Sequence, residues 1–289
     1  MALADPYRLA VREAVSRALE EDLAPLGDLT SALLPPDISA VAHFVPRHAG
    51  IVAGTACATE TFAQLDPRIE VRWTGVDGTL ATPGEAIGTV QGPLAAILTG
   101  ERTALNFLCH LSGIATLTRR FADAAAEGGP ARIWDTRKTT PGLRTLEKAA
   151  VRAGGARNHR ANLSDWVMFK DNHLAVLGIA EGVAAAKVAW PGRMVHVEAG
   201  DLAELAQALE AGADAVLLDN MTPEEATAAV TLADEWAAEH GHRPLLECSG
   251  GITVDTAAAY AATGVDFLST SQITQSAPVL DIGLDIVAN

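Results

Sequence analysis

The sequence is poor in cysteine, in aromatic residues and in positive charge, and each shortage excludes a class of protein. Its 289 residues include three cysteines and no C-x-x-C pair, which argues against a disulfide framework or a cysteine zinc site. Lysine and arginine number 21 against 36 acidic residues, for a net charge of −15, whereas nucleic-acid-binding proteins normally have a broad basic face. There is no long uncharged apolar run and no secretory signal pattern. We therefore expect a soluble, cytoplasmic protein without a membrane span.

The spacing of the apolar residues changes at about Gly113. Before it, a first helix is followed by short strands and tight turns, and a long helix over 94–126 ends at a Gly-Gly-Pro stop. From residue 131 onward, short apolar runs alternate with helical patterns, which predicts strand–helix units and a parallel sheet. We expect a TIM-like α/β barrel, with a doubly wound open sheet as the alternative. The predicted strands are Arg132–Thr136, Trp166–Lys170, Met194–Glu198, Ala215–Asp219, Leu245–Ser249 and Asp266–Thr270.

Cationic residues recur where the first two predicted strands end. Arg137 and Lys138 follow the first strand and Lys170 closes the second, while His159 and Arg160 lie between them. Lysine and arginine are usually solvated surface charges. Here they share the carboxyl ends of parallel strands, where α/β folds form their sites. Clustered cations in an acidic chain therefore predict a small, strongly anionic ligand, bound through charge-assisted hydrogen bonds.

Two acidic residues end buried strands further along the chain. Glu198 and Asp219 each terminate an apolar run, where a carboxylate is costly unless a cation or a metal ion compensates it. Two carboxylates at one sheet edge suit Mg²⁺ with a pyrophosphate, because Mg²⁺ takes few protein ligands and keeps several waters. The alternative is a structural ion pair with Lys138 or Lys170. We predict a functional pair that binds Mg²⁺ directly or through water or pyrophosphate.

A glycine turn follows the fifth predicted strand. Ser249-Gly250-Gly251 opens the next predicted helix, and the exposed N–H groups of such a helix start can hold a phosphate. Glycines also serve ordinary turns, so the position directly after a strand carries this prediction. Thr270 and Ser271, after the sixth strand, are predicted to complete the phosphate site as donors. Arg102, on the long helix, is predicted from local chemistry alone to form an ion pair near its own position.

Several segments, taken in chain order, resemble one known family. They are ERTALNFLCHLSGIAT, DTRKTTPGLR, NHR, KDNH, VEAG, LLDNM, ECSGGI and LDIGLD. From about residue 20 to its end the chain resembles the quinolinate phosphoribosyltransferases, type II phosphoribosyltransferases also called carboxylating nicotinate-nucleotide pyrophosphorylases. The resemblance implies an N-terminal α/β sandwich domain over 1–113, joined by the tail 275–289, and an incomplete TIM-like α/β barrel over 114–274. It also implies a homodimer, or a higher oligomer built from it, with shared active sites.

The resemblance also implies an activity and a role for each site residue. The reaction converts quinolinate and phosphoribosyl pyrophosphate into nicotinate mononucleotide, pyrophosphate and CO₂, with Mg²⁺, in NAD biosynthesis. Lys138, Glu198 and Asp219 are the catalytic residues by resemblance, and Glu198 and Asp219 also face the metal. Arg102 is the residue donated across the dimer. The remaining substrate-binding residues implied by the resemblance are Thr136, Arg137, His159, Arg160 and Lys170 for quinolinate, and Ser249, Gly250, Gly251, Thr270 and Ser271 for the phosphate.

Three positions depart from the family pattern. Ala156 occupies the third position of a GGG segment, Ser271 replaces a phosphate-loop glycine, and Gln275 stands where many bacterial members have histidine. A side chain at position 271 either crowds the phosphate or adds a hydroxyl donor. We expect these changes to alter phosphate affinity or rate rather than the reaction itself.

Three other functions fit part of the sequence. A paralogous phosphoribosyltransferase acting on another base keeps the fold, but the presence of both NHR and KDNH argues against it. A Schiff-base lyase using Lys138 or Lys170 accounts for a lysine among cations, yet leaves the Glu198–Asp219 pair unexplained. A ligand-binding protein without catalysis has only the three departures in its favour.

Overall fold

The computed structural model describes residues 6–287, which divide into two compact units. Unit 1 comprises 6–119, 138–155 and 273–287, and unit 2 comprises 120–137 and 156–272. The helices are α1 (Arg8–Leu23), α2 (Thr55–Leu65), α3 (Leu94–Gly128), α4 (Arg144–Ala153), α5 (Asp171–Leu177), α6 (Ile179–Ala189), α7 (Leu202–Glu210), α8 (Pro223–His240), α9 (Val254–Ala261) and α10 (Gln272–Gln275). The strands are β1 (Ser39–Pro46), β2 (Gly50–Ile51), β3 (Glu70–Trp73), β4 (Leu80–Ala81), β5 (Gly88–Pro93), β6 (Arg132–Trp134), β7 (Val167–Phe169), β8 (Val195–Ala199), β9 (Ala215–Asp219), β10 (Leu245–Ser249), β11 (Phe267–Ser269) and β12 (Ile282–Ile286).

Unit 1 is built on an antiparallel sheet in the order β12-β1-β5-β3, with β2 and β4 forming a separate pair. The C-terminal strand β12 pairs with β1, so the end of the chain completes this sheet. One face of the sheet buries an apolar core that includes Phe44, Phe62, Ile97 and Leu108, each with no exposed surface. Helices on such a sheet give the α/β sandwich that the resemblance implies for this part of the chain.

Residues 138–155 belong to unit 1, whereas the predicted boundaries place them in the barrel domain. Their helix α4 contacts α1, and the imidazole of His110 lies 2.9 Å from the carboxylate of the buried Glu147. Gly154 packs so tightly that a Cβ atom there would lie 2.5 Å from Thr118 Cβ. The alternation of strands and helices in the sequence reports the order of the elements, but not the surface on which each helix packs.

Unit 2 contains a parallel sheet of six strands in the order β6-β11-β10-β9-β8-β7. Strands β7 to β11 follow one another both in the chain and in the sheet, as in an α/β barrel, and β6 pairs with β11. Among the described residues β6 and β7 remain the two ends of the sheet. This order confirms the prediction of an incomplete TIM-like barrel, and it places the carboxyl ends of all six strands at one edge.

Local sequence signals account for most helix boundaries in unit 2. The side chain of Asp201 accepts hydrogen bonds from the first N–H groups of α7, and α8 begins with a Thr222–Glu225 capping box. The prediction assigned no helix to 171–189, where the structure forms α5 and α6. None of the residues of α5 is buried, so this helix lacks the apolar periodicity on which prediction depends. No helix in the described part of the chain has the length and apolarity needed to cross a membrane.

Candidate active site

The carboxyl edge of the parallel sheet carries the predicted site residues of unit 2. Ser249 at the end of β10 is in register with Asp219 on β9 and with Ser269 on β11. Glu198 lies near the end of β8, and Lys170 directly follows β7. Because residues in register on parallel strands project from the same face, the sheet gathers these polar groups without help from long loops.

Lys170, Glu198 and Asp219 form a charged group at this edge. The Lys170 ammonium donates to Glu198 Oε2, and the backbone N–H of Asp171 lies 3.4 Å from Glu198 Oε1. Burial and the neighbouring carboxylate of Glu198 raise the pKa of Asp219, although a hydrogen bond from Asn220 and the charge of Lys170 oppose the shift. Two adjacent carboxylates with one lysine leave negative charge that is suited to a metal ion or to ligand hydroxyl groups.

The segment Asn158-His159-Arg160 is fixed to the end of β6 by Asp135. This carboxylate is fully buried and accepts hydrogen bonds from Asn158 Nδ2 at 2.6 Å and from the backbone N–H of His159 at 2.8 Å. The backbone of Arg157 also pairs with β6, since its N–H donates to Ile133 O at 2.9 Å. The histidine and arginine of the NHR motif therefore occupy set positions although they lie in a loop.

Arg160 is buried beside another cation. Only 7 % of its surface is exposed, and burial together with the charge of Arg137 lowers the pKa of its guanidinium, while Asp165 and Glu247 oppose the shift. Thr136 precedes Arg137 at the end of β6, and both are half-buried. Two guanidinium groups held together at a buried edge bind an anion more strongly than either would alone in water.

Three buried ionisable side chains lie behind this edge, and two of them were not predicted. His159 Nε2 lies 3.1 Å from Glu247 Oε2, and His196 Nε2 lies 3.4 Å from the same oxygen. Burial lowers the pKa of His196 to about 4, an effect that the nearby Glu247 carboxylate opposes. The sequence does carry a signal for Glu247 and His196, because each is an ionisable residue inside an apolar strand.

The glycine turn after β10 has the predicted form. Gly250 has a φ of 97°, and a Cβ atom there would lie 2.2 Å from Asn220 Oδ1, so this position requires glycine. Thr270 is buried, and its hydroxyl donates to Ile252 O at 3.3 Å, tying the end of β11 to the same turn. Ser271 has no positive φ, unlike Asn220. The backbone at position 271 therefore does not require the glycine that is usual in the family.

Arg102 and Lys138 belong to unit 1. Arg102 is exposed on α3 and lines a cavity of about 600 Å³ together with Arg17, Asp22 and His110. Within residues 6–287, Arg102 forms no ion pair, so the local pair predicted for it is absent there. Lys138 is exposed, and its carbonyl accepts a hydrogen bond from Thr274 Oγ1 at 2.8 Å.

Guanidinium groups that lower one another's pKa are held together in a protein where a bound anion compensates them. This sheet edge therefore defines the class, an α/β-barrel protein that binds a strongly anionic ligand. The profile of the quinolinate phosphoribosyl transferase N-terminal domain matches residues 28–112, and that of the C-terminal domain matches 114–285. The chain belongs to the quinolinate phosphoribosyltransferase family.

Individual relatives agree with this assignment along the whole chain. A nicotinate-nucleotide pyrophosphorylase [carboxylating] of Mycobacterium leprae is 41% identical over 96% of this chain and 97% of its own length. A probable nicotinate-nucleotide pyrophosphorylase [carboxylating] of Bacillus subtilis is 40% identical over 96% of this chain and 94% of its own. The solved nicotinate-nucleotide pyrophosphorylase of Francisella tularensis superposes with a TM-score of 0.92, at 36% identity and 99% coverage of both chains.

Proposed function

We propose that this protein transfers the phosphoribosyl group of phosphoribosyl pyrophosphate to quinolinate and releases pyrophosphate and CO₂, forming nicotinate mononucleotide for NAD biosynthesis. The observation that carries the proposal is the buried cation pair Arg137–Arg160 on the same sheet edge as the Lys170–Glu198–Asp219 group. One set suits a planar dicarboxylate and the other suits a ribosyl pyrophosphate.

The two carboxylates of quinolinate need several cationic donors at once. Arg137, Arg160 and Lys170 supply charge, and His159 supplies an imidazole fixed from behind by Glu247. A guanidinium presents paired N–H groups that match a carboxylate, so two arginines can orient the ring as well as hold it. Thr136, next to Arg137, adds a hydroxyl at the same position. This arrangement directs the ring nitrogen toward the ribose-binding part of the edge.

The phosphoribosyl pyrophosphate has three groups to place. We assign the 5′-phosphate to the turn Ser249-Gly250-Gly251 with Thr270 and Ser271, because N–H groups at the start of α9 suit an anion. Glu198 and Asp219 accept the ribose hydroxyls. Lys138 faces the pyrophosphate in this assignment, which rests on the resemblance.

The reaction needs position and charge rather than a protein nucleophile. The nitrogen of quinolinate forms a bond to C1 of the ribose while the C1–oxygen bond to pyrophosphate breaks, and that oxygen keeps the electron pair. The carboxylates of Glu198 and Asp219 stabilise positive charge that develops on the ribose. The C2–carboxylate bond then breaks, CO₂ leaves, and a proton takes the electron pair left on the ring carbon.

The residues fit a magnesium ion by their chemistry. Glu198 and Asp219 lie close enough for the charge of one to raise the pKa of the other, which is the arrangement that a divalent cation relieves. Mg²⁺ commonly binds through one or two carboxylates plus substrate phosphates. When bound, it would neutralise charge on the departing pyrophosphate.

We further propose a homodimer in which Arg102 of one subunit completes the quinolinate site of the other. Its support is an exposed arginine that lines a cavity in unit 1 without an ion pair to any residue that the structure describes. Mixing Arg102→Ala with Lys170→Ala subunits tests this. About a quarter of the wild-type activity should return, because half of the dimers are hybrids and each hybrid has one intact site. No recovery would place Arg102 in the site of its own subunit.

The activity itself is tested with purified protein, quinolinate, phosphoribosyl pyrophosphate and Mg²⁺, following nicotinate mononucleotide and CO₂. Arg160→Ala and Lys170→Ala should each raise the quinolinate KM on the order of 100-fold. Arg243→Ala is the matched control, since Arg243 is paired with Asp234 and Asp266 in the same unit. No turnover, together with unchanged quinolinate binding in both site variants, would overturn the proposal. A cytoplasmic location stays a prediction.

A further inference from the structure

Glu247 is a buried carboxylate that no substrate role above uses. It lies on β10 with 1% of its surface exposed, two residues before Ser249 and therefore on the same face of the strand. Its Oε2 atom lies 3.1 Å from His159 Nε2 and 3.4 Å from His196 Nε2. Ser269, on the neighbouring strand, is also a hydrogen-bond partner of this carboxylate. Three strands and the NHR loop thus converge on one side chain.

The charge of Glu247 is maintained by these neighbours and supports them in turn. Burial opposes its ionised form, but the hydrogen bonds and charges around it prevail, and the pKa of Glu247 lies below the usual value. The same carboxylate opposes the lowering of the pKa of Arg160 that burial and Arg137 cause. A buried anion beneath a cationic pocket offsets the repulsion among its cations and leaves their outer side available to a ligand.

The same three side chains could instead hold a metal ion. One donor atom each from His159, His196 and Glu247 lies within 4.8 Å of the others, and two histidines with a carboxylate can bind zinc. Two observations oppose this. The charges of Arg160 and Lys170 reach the cluster strongly enough to lower the pKa of His196, and Glu247 already pairs with His159. The surroundings favour an anion and disfavour an added cation.

We propose that Glu247 is a positioning residue that holds His159, and supports the charge of Arg160, in the arrangement that binds the carboxylates of quinolinate. The proposal rests on the function and on the His159 assignment proposed above. It extends the quinolinate site to a carboxylate that lies behind the groups expected to touch the substrate. Its consequence is a selective one: loss of the charge should weaken quinolinate binding without disturbing the phosphoribosyl part of the edge.

The test is Glu247→Gln, which keeps the shape of the side chain and removes its charge. We expect the quinolinate KM to rise on the order of 10-fold, while the KM for phosphoribosyl pyrophosphate and kcat change less than about threefold. In a His159→Asn background the same substitution should add less than about threefold, because the coupling partner is already absent. Ser269→Ala, which removes another partner of the carboxylate, should shift the quinolinate KM in the same direction.

Asp214→Asn is the matched control. Asp214 accepts a hydrogen bond from Val195 N at 2.7 Å where β8 and β9 begin, so its loss should lower Tm without changing either KM. Equal increases in both KM values for Glu247→Gln, or full additivity with His159→Asn, would reduce Glu247 to a structural residue. Stoichiometric zinc whose removal weakens quinolinate binding would also overturn the proposal. If His159→Asn alone leaves the quinolinate KM unchanged, the assignment of His159 fails; absence of turnover in wild type instead contradicts the proposed function.

Discussion

The two edges of the parallel sheet in unit 2 use the same kinds of side chain in opposite ways. Where the strands begin, carboxylates bind backbone N–H groups: Asp214 accepts from Val195 N and Asp266 from Leu246 N, each at 2.7 Å. Arg243 donates to the same Asp266 at 2.7 Å. Each charge at this edge meets a donor or an opposite charge, so the edge stabilises the fold without a ligand.

Where the strands end, like charges are adjacent. Arg137 lowers the pKa of Arg160, after the larger effect of burial, and Glu198 raises the pKa of Asp219 in the same way. Such pairs reduce the stability of the free protein and are relieved when an oppositely charged ligand binds. The difference between the edges separates structural charge from functional charge more sharply than residue type does.

Asp219→Asn should have the largest effect on this comparison. We expect kcat to fall on the order of 100-fold or more, because a carboxylate that stabilises the developing ribose charge is lost. Folding disfavours the charged form of Asp219, as its raised pKa indicates, so the neutral variant should be at least as stable as wild type at pH 7. Steady-state kinetics and thermal unfolding measure both quantities. A Tm several degrees below that of wild type would show that Asp219 is a structural residue.

Glycine substitutions contrast the turns at the two edges. Gly250→Ala introduces a Cβ atom 2.2 Å from Asn220 Oδ1 at a φ of 97°, and we expect the KM for phosphoribosyl pyrophosphate to rise about 10-fold as the phosphate turn shifts. Gly264, before β11, has a φ of 92° and a nearest contact of 3.2 Å to Val230. Gly264→Ala should therefore lower stability alone. Equal KM values in the two variants would separate Gly250 from phosphate binding.

The sequence predicts much of this edge because strand ends are local features. The runs Ala215–Asp219 and Leu245–Ser249 are predicted with the observed bounds, and the residues that end them meet because parallel strands share an edge. Glu247 is missed because its position between Leu246 and Cys248 reads as part of a buried run. The placement of α4 in unit 1 depends on long-range packing, to which a periodicity of a few residues is blind.

Asp266→Asn probes the edge where the strands begin. Its carboxylate accepts from Leu246 N and from Arg243 at 2.7 Å each, so we expect a loss of about 1–3 kcal/mol in the free energy of unfolding. Both KM values should stay within about twofold of wild type, because no ligand is placed at this edge. Urea denaturation and steady-state kinetics measure the two effects. A selective rise in either KM would contradict the division between the edges.

The smallest expected effect belongs to Ser271→Gly, which restores the residue usual in the family. Asn220 is the one non-glycine residue of positive φ in the part of the chain that the structure describes, so Ser271 holds its backbone without the strain that a glycine would relieve. Its half-buried side chain follows Thr270 at the phosphate turn. We expect the KM for phosphoribosyl pyrophosphate to change by less than about threefold, since one neutral hydrogen bond contributes little beside the N–H groups of the turn. A fall of 10-fold or more on the scale of tight phosphate binding would mean that the hydroxymethyl group crowds the phosphate.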